Sequence, residues 1–135
     1  MNRIASAVVM PAGPNYTQRI ATGGFAVSAD EPVSAGGRNL GPGPYNLLLA
    51  SLGACTSITL KMYADRKGWS IGALKVSLTL SKDTDGNTFI DRTLDSDARL
   101  DGEQWLKLLE IASKTPVTKT LLAGASITTR RAKVA

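Results

Sequence analysis

Cys55 is the only cysteine of this 135-residue chain, and the chain contains no histidine. A single cysteine excludes an intramolecular disulfide, a thiolate zinc cluster and a redox pair of cysteines within one chain. The lack of histidine removes the most common general base and metal ligand, so Ser-His-Asp and Cys-His catalysis are excluded as well. Any thiol chemistry within the chain must therefore use Cys55 alone.

The chain is basic, with a net charge of +5, and basic residues cluster within 61–67 and 130–133. Aromatic residues make up only 5% of the chain and do not interleave with these clusters. Stacking platforms for nucleic acid are therefore not expected, and we interpret the clusters as a solvated surface. The Gly-rich segment 36–43 lacks the spacing of a phosphate-binding loop, and no pattern indicates a metal, a nucleotide or a flavin cofactor.

Length and composition predict a single domain over residues 1–135. Hydrophobic residues make up 43% of the chain and charged residues 20%, which is typical of a soluble globular protein. The longest fully apolar stretch is too short to span a bilayer. The apolar segment before Pro11 is too short for a signal peptide. We therefore expect a cytoplasmic protein that does not insert into a membrane.

Cys55 lies in the middle of a predicted helix over residues 44–67. Pro44 suits the first turn and Gly68 suits a left-handed C-cap. The first half is apolar nearly all round, which predicts burial on more than one side. Gly53 costs about 1 kcal/mol relative to Ala, which indicates close approach by another backbone, such as that of a partner helix. Helical spacing places these residues on or near the face of Cys55: Leu48, Ser51, Leu52, Ile58, Thr59 and Met62.

The rest of the chain predicts short strands and a second helix. Strands are predicted at residues 2–10, 16–21, 25–28, 74–81, 88–100 and about 126–133, with turns at Gly23-Gly24 and Asp85-Gly86. A capping-box pattern at Asp101 and Gln104 begins a second helix, with Trp105, Leu108, Leu109 and Ala112 facing the core. Thr115-Pro116 ends it, and a helical turn follows at 117–122. This order predicts an α+β domain with mostly antiparallel strands.

The long helix is too apolar for one small sheet to cover. An exposed apolar surface of that size would favour aggregation, so we expect a homodimer that buries the long helix of each copy at its centre.

Four segments, in order from about residue 24 to the end of the chain, together match the sequence pattern of a known family. They are Asp30-Glu31-Pro32 with Gly36-Gly37, residues 41–56 (GPGPYNLLLASLGACT), residues 62–69 (MYADRKGW) and residues 114–121 (KTPVTKTL). Together they resemble the family of osmotically inducible protein C and organic hydroperoxide resistance protein, OsmC/Ohr. The resemblance implies an intertwined α+β homodimer with sites at the subunit interface. It also implies a thiol peroxidase that reduces organic hydroperoxides.

In such enzymes a peroxidatic thiolate becomes a sulfenic acid, which a second, resolving cysteine captures. Cys55 matches the peroxidatic position. The family pattern Cys-Pro-Val-His reads Thr115-Pro116-Val117-Thr118 here, so both the resolving cysteine and the histidine are replaced. Asn46 stands where the family has Glu, and Arg38, in the preceding loop, is the candidate for a thiolate-stabilising arginine.

Three functions remain open at this stage. The first is a one-cysteine peroxidase with Cys55 as nucleophile, Arg38 as electrostatic partner and an external thiol as reductant. The second is a catalytically silent relative that binds a small hydrophobic ligand at the interface, with Leu48, Leu52, Ile58 and Met62 as pocket candidates. The third is a structural or partner-binding dimer in which Cys55 is an inert buried hydrophobe and the apolar positions are core.

Overall fold

The computed structural model of the chain describes residues 1–133, which contain five strands and three α-helices. The strands are β1 (Ala7–Pro11), β2 (Gln18–Thr22), β3 (Phe25–Ala29), β4 (Leu74–Lys82) and β5 (Thr88–Ser96). The helices are α1 (Pro44–Lys67), α2 (Gly102–Ala112) and α3 (Pro116–Ala123). All strand pairs are antiparallel, which confirms the predicted α+β class.

The described chain divides into two compact units, Met1–Ala50 and the part from Ser51 onward. In the first unit β1, β2 and β3 form a three-stranded sheet in that order. Gly23 and Gly24 make the predicted turn between β2 and β3, with φ of 58° and 84°. The first strand begins at Ala7 rather than at residue 2, because its partner β2 ends at Thr22, opposite Ala7.

The loop between β3 and α1 is organised around the buried carboxylate of Asp30. Thr17 Oγ1 donates to this carboxylate at 2.8 Å, and the backbone N–H groups of Glu31, Arg38 and Leu40 donate to it at 2.7, 3.3 and 3.2 Å. The Gly- and Pro-rich loop therefore has a defined path up to α1.

In the second unit β4 and β5 form the predicted hairpin, with Val76 opposite Leu94. The side chains of both strands alternate between half-buried and exposed, as a period of two requires. The core of this unit consists of Leu60, Ala64, Ile71, Leu108 and Ala112. It joins α1 to α2 and to the segment before β4.

Helix α1 buries one face within the chain. The buried residues recur every three or four positions: Leu52, Gly53, Thr56, Leu60 and Ala64. A Cβ atom on Gly53 would lie 2.9 Å from Leu78 Cδ1, so a side chain of β4 makes the close approach. The prediction that a partner helix approaches Gly53 concerns a second copy of the chain and stays a prediction. Ile58 and Met62 are each 58% exposed, so one chain alone does not bury α1 on more than one side.

The capping box of α2 is present as predicted. The Asp101 side chain accepts from the backbone N–H of Gln104 at 2.7 Å, and the Gln104 side chain accepts from the backbone N–H of Asp101 at 3.0 Å. Leu108 and Ala112 are buried, whereas Leu109 is 52% exposed. The prediction that Leu109 faces the core is wrong, because the buried stripe follows positions 108 and 112 on the neighbouring face.

The predicted last strand at 126–133 is absent, since the structure assigns these residues no strand pairing. A strand needs a neighbouring strand edge, and the ladders of the described residues join only β1 to β2, β2 to β3, and β4 to β5.

Within residues 1–133, α1 is the one helix long and apolar enough to cross a membrane, with a mean hydropathy of 1.4 over its best window. The sequence expectation considered only fully apolar stretches and did not anticipate this. Core helices of soluble proteins pass the same test, so length and composition are weak evidence for a membrane span.

Candidate functional site

Cys55 lies on α1, one residue before the buried face marked by Thr56. Cys55 is half-buried, and its Sγ lies 4.0 Å from Thr59 Oγ1, one helical turn further along. The prediction that Thr59 shares the face of Cys55 is confirmed. A half-buried cysteine can meet a dissolved reactant, which a fully buried core cysteine cannot.

Arg92 of β5 places a guanidinium next to this part of α1. Arg92 Nη1 donates to Thr56 Oγ1 at 2.9 Å and to Thr118 Oγ1 at 2.9 Å. Arg92 Nη2 donates to the backbone oxygen of Ala112 at 2.8 Å. Hydrogen bonds to α1, to α3 and to the end of α2 therefore hold a single arginine side chain.

The charge of Arg92 interacts with Cys55. Burial lowers the pKa of the Arg92 guanidinium below its ordinary value, while the charge of Cys55 acts in the opposite sense and raises it. Arginine remains protonated in proteins even after such a shift. The site therefore combines one half-buried cysteine with one partly desolvated, permanent positive charge.

Thr115 and Thr118, at the beginning of α3, are both buried beside Arg92. Their hydroxyl oxygens lie 2.7 Å apart, and Thr118 Oγ1 also donates to the backbone oxygen of Ala112 at 3.2 Å. The two residues that replace the cysteine and histidine of the family pattern thus belong to one hydrogen-bonded cluster with Arg92.

A cavity of about 290 Å³ opens beside the same arginine. Its walls are mostly aliphatic, and few residues supply polar groups. The lining residues are Leu52, Ile90, Arg92, Ser113, Thr118, Leu121 and Leu122. A cavity with apolar walls and one cation suits a ligand that has a hydrocarbon part and a polar or anionic head.

The remaining site candidates are distributed between the two units. Arg38, Asn46 and Leu48 belong to the unit that ends at Ala50. The Arg38 side chain is exposed, and its backbone N–H donates to Asp30. Asn46 is exposed in the first turn of α1, and Leu48 is half-buried. The roles assigned to these three residues stay predictions.

Of the four pocket candidates, the structure places Leu52 in the wall of the cavity. Ile58 and Met62, each 58% exposed, are not among its lining residues. Their assignment to an interface pocket stays a prediction that concerns a second copy of the chain.

Arg92 is the site residue that sequence analysis missed. The alternation of β5 makes Ile90 and Leu94 face inward, and Arg92 lies between them on the same face. A charged residue at an inward-facing strand position is unusual, because burial of a charge requires compensating partners. That conflict between pattern and residue type was the available signal.

Comparison with known proteins identifies relatives of the chain. The family model of OsmC-like proteins matches residues 36–130. The structure resembles that of an OsmC-like protein from Mycoplasma pneumoniae, with 21% identity, a TM-score of 0.71 and coverage of 90% of this chain and 89% of that one. A comparison with curated protein sequences finds no match.

Two further crystal structures share the fold. One is the organic hydroperoxide resistance protein OsmC of Legionella pneumophila, with 14% identity, a TM-score of 0.65 and coverage of 88% of this chain and 89% of that one. The other is the organic hydroperoxide resistance protein OhrB of Bacillus subtilis, with 24% identity, a TM-score of 0.60 and coverage of 87% of this chain and 90% of that one. At these identities the likeness concerns the fold. Since the family model spans most of its length, the chain belongs to the OsmC-like protein family.

Proposed function

We propose that this chain is a one-cysteine thiol peroxidase, in which Cys55 reduces an organic hydroperoxide and an external low-molecular-weight thiol regenerates it. The observation that carries the proposal is the half-buried Cys55, whose neighbour Thr56 accepts a hydrogen bond from the partly buried Arg92 guanidinium at 2.9 Å. Membership of the OsmC-like family is consistent with a role in peroxide resistance. Two proteins of similar fold are named for organic hydroperoxide resistance.

The chemistry requires three balanced steps. The Cys55 thiolate attacks the terminal oxygen of the hydroperoxide, the O–O bond breaks, and the alkoxide leaves and takes a proton, which yields an alcohol and a sulfenic acid on Cys55. A first external thiol attacks the sulfenic sulfur and forms a mixed disulfide and water. A second external thiol attacks that disulfide, releases the oxidised reductant and restores Cys55.

Arg92 has two parts in this scheme. A nearby cation favours the thiolate form of a cysteine, which is the nucleophile. A guanidinium also stabilises the negative charge that develops on the departing alkoxide oxygen. A guanidinium carries five N–H donors, and in the described chain Arg92 uses three of them, toward Thr56, Thr118 and Ala112. We assign the other two donors to the substrate.

The external reductant follows from the cysteine count. Cys55 is the only cysteine, and Thr115 stands at the family's resolving position, so a sulfenic acid on Cys55 has no intramolecular thiol to react with. A homodimer supplies only a second Cys55. We place the activity in the cytoplasm, where low-molecular-weight thiols are kept reduced.

The proposal is tested by following cumene hydroperoxide consumption with dithiothreitol as the reductant. Because Cys55→Ala removes the only thiol, this variant reports the direct reaction of dithiothreitol with the peroxide. We expect turnover by the wild-type chain that clearly exceeds the Cys55→Ala rate. Mass spectrometry after a stoichiometric dose of peroxide without reductant should show one added oxygen on Cys55. Equal rates together with an unmodified thiol would contradict the proposal.

The aliphatic cavity favours a second candidate, a silent family member that binds a hydrophobic ligand. In that case Cys55 is unreactive, but an amphipathic probe such as decanoic acid raises the melting temperature. A ligand at about 100 times its Kd stabilises a protein by about 2.7 kcal/mol. A structural dimer, the third possibility, would show neither turnover nor this thermal shift.

A further inference from the structure

We infer that Thr115 and Thr118 are positioning residues that fix the Arg92 guanidinium beside Cys55. The segment that the family uses to resolve an oxidised thiol would here hold the charge that activates the thiol. This inference rests on the proposed function, because the orientation of Arg92 matters for catalysis only if Cys55 reacts.

The hydroxyl group of Thr118 has three hydrogen-bond partners. A hydroxyl has one proton to donate and two lone pairs to accept with. The proton goes to the backbone oxygen of Ala112 at 3.2 Å, and one lone pair accepts from Arg92 Nη1 at 2.9 Å. The Thr115 hydroxyl, 2.7 Å away, must then donate to the second lone pair. Each partner therefore fixes the orientation of the Thr118 hydroxyl group.

Thr56 completes the arrangement on the side of α1. Its hydroxyl donates to the backbone oxygen of Leu52 at 2.7 Å, so it can only accept from Arg92. Both Nη1 protons are thus directed to threonine oxygens on different helices, while Nη2 donates to Ala112. Three anchors of this kind fix the plane of a guanidinium, whereas one would only fix its position.

The threonines perform this role without adding charge. Thr56, Thr115 and Thr118 are all buried and none of them titrates. Among the described residues that pack against Arg92 from α1, α2 and α3, the ionisable group whose charge acts on it is Cys55. A cysteine or histidine at position 115 or 118 would instead add a group whose charge changes with pH.

The test uses Thr118→Val, which keeps the shape of the side chain and removes the hydroxyl, and Thr118→Ser, which keeps the hydroxyl. Thr120→Val, an exposed threonine on the same helix, is the matched control. The first readout is the rate of Cys55 alkylation by iodoacetamide in a fixed neutral buffer. The second is the rate of Cys55 oxidation by cumene hydroperoxide in a single turnover.

We expect Thr118→Val to slow alkylation of Cys55 and to slow its oxidation about tenfold, less than the loss of about 100-fold typical when a direct transition-state donor is removed. Thr115→Val should shift both readouts in the same direction by less. Thr118→Ser and Thr120→Val should match the wild type. A structural role alone would lower the melting temperature without changing the alkylation rate of the folded protein.

A folded Thr118→Val variant with wild-type alkylation and oxidation would overturn the inference. If Thr118→Val does not fold, Thr115→Val is compared with the wild type instead. This variant removes the Thr115 hydroxyl and leaves the hydrogen bond between Thr118 and Arg92 in place. Alkylation requires no peroxidase activity, so it reports on the orientation of Arg92 independently. A wild-type chain without Cys55-dependent turnover would overturn the proposed function, and that result is separate from the alkylation comparison.

Discussion

At the scale of single residues, the proposed mechanism makes the reactivity of Cys55 depend on how Arg92 is held. Arginine and lysine both carry a positive charge, but only the planar guanidinium can donate in three fixed directions at once. In this structure those directions lead to Thr56, Thr118 and Ala112. Charge and orientation can therefore be separated by substitution at position 92.

The first prediction concerns Arg92→Lys and Arg92→Met. Arg92→Met should slow Cys55 oxidation about 100-fold at neutral pH, because it removes both the charge and the hydrogen-bond donors. Arg92→Lys should recover part of the rate, since a point charge remains without the fixed geometry. Single-turnover oxidation followed by mass spectrometry measures both. The control is Arg99→Met, which removes an exposed arginine, and equal losses in Arg99→Met and Arg92→Met would rule out a specific role for Arg92.

The second prediction concerns Asp30. Burial raises the pKa of its carboxyl, but hydrogen bonds from Thr17 and from the backbone N–H groups of Leu40, Glu31 and Arg38 outweigh this effect and lower the pKa below its ordinary value. The unfolded value is about 3.9. Ionised Asp30 therefore stabilises the fold above that pH, and the contribution is lost as the pH falls through the lower folded pKa.

We expect the urea midpoint of the wild-type chain to fall more steeply in acid than that of Asp30→Asn. The matched control, Asp91→Asn, removes an exposed carboxylate of β5 and should keep the wild-type slope. Parallel curves for wild type and Asp30→Asn between about pH 5 and about pH 2 would contradict this role.

The sequence made Cys55 identifiable because it is the only cysteine of the chain. Arg92 was not identified, because its proximity to Cys55 arises from the packing of β5 against α1 rather than from spacing along the chain. The hydrogen bond between Arg92 and Thr118, for example, joins residues 26 positions apart. Sequence periodicity specified which way Arg92 faces but not which partners would compensate its burial.

At the scale of elements, local signals predicted boundaries well where the end of an element depends on neighbouring residues. Helix α1 runs from Pro44 to Lys67, as predicted from Pro44 and Gly68. The N-terminus of α2 follows its capping box at Asp101. The strand expected at 126–133 failed because a strand depends on an edge supplied by another part of the molecule.

The third prediction concerns the Asp101 cap. Asp101→Ala removes the acceptor for the Gln104 backbone N–H and should destabilise the protein by about 1 kcal/mol. Asp101→Asn keeps an acceptor oxygen and should cost only a few tenths of that, since Asn and Asp are comparable N-caps. Urea unfolding monitored by circular dichroism measures both. Equal loss in the two variants would indicate that the charge of Asp101, and not its capping oxygen, stabilises α2.

At the scale of the whole molecule, one chain leaves part of α1 uncovered. Ile58 and Met62 are large apolar side chains, each 58% exposed on a helix whose opposite face forms the core. Single exposed hydrophobic residues are common, but two at i and i+4 on one helix form a continuous apolar surface. The sequence pattern already indicated that α1 needs covering on more than one side.

The fourth prediction is that a second copy of the chain covers this surface. Burial of an Ile or Met side chain contributes about 1.5–3 kcal/mol, so the two residues from each of two copies would contribute substantially to association. Sedimentation equilibrium should then give a mass twice the 14.2 kDa of one chain. Ile58→Glu combined with Met62→Glu would place carboxylates in the contact and should shift the protein to monomer at micromolar concentration.

The matched control is Ser77→Glu, which adds a carboxylate to the exposed face of β4 and should leave the mass unchanged. A wild-type mass of 14.2 kDa would contradict the prediction directly. A dimer that persists in Ile58→Glu/Met62→Glu would place the interface on another surface. If the monomeric double variant also loses Cys55-dependent turnover while its circular dichroism spectrum is retained, the second copy contributes to the site, as the family resemblance implies.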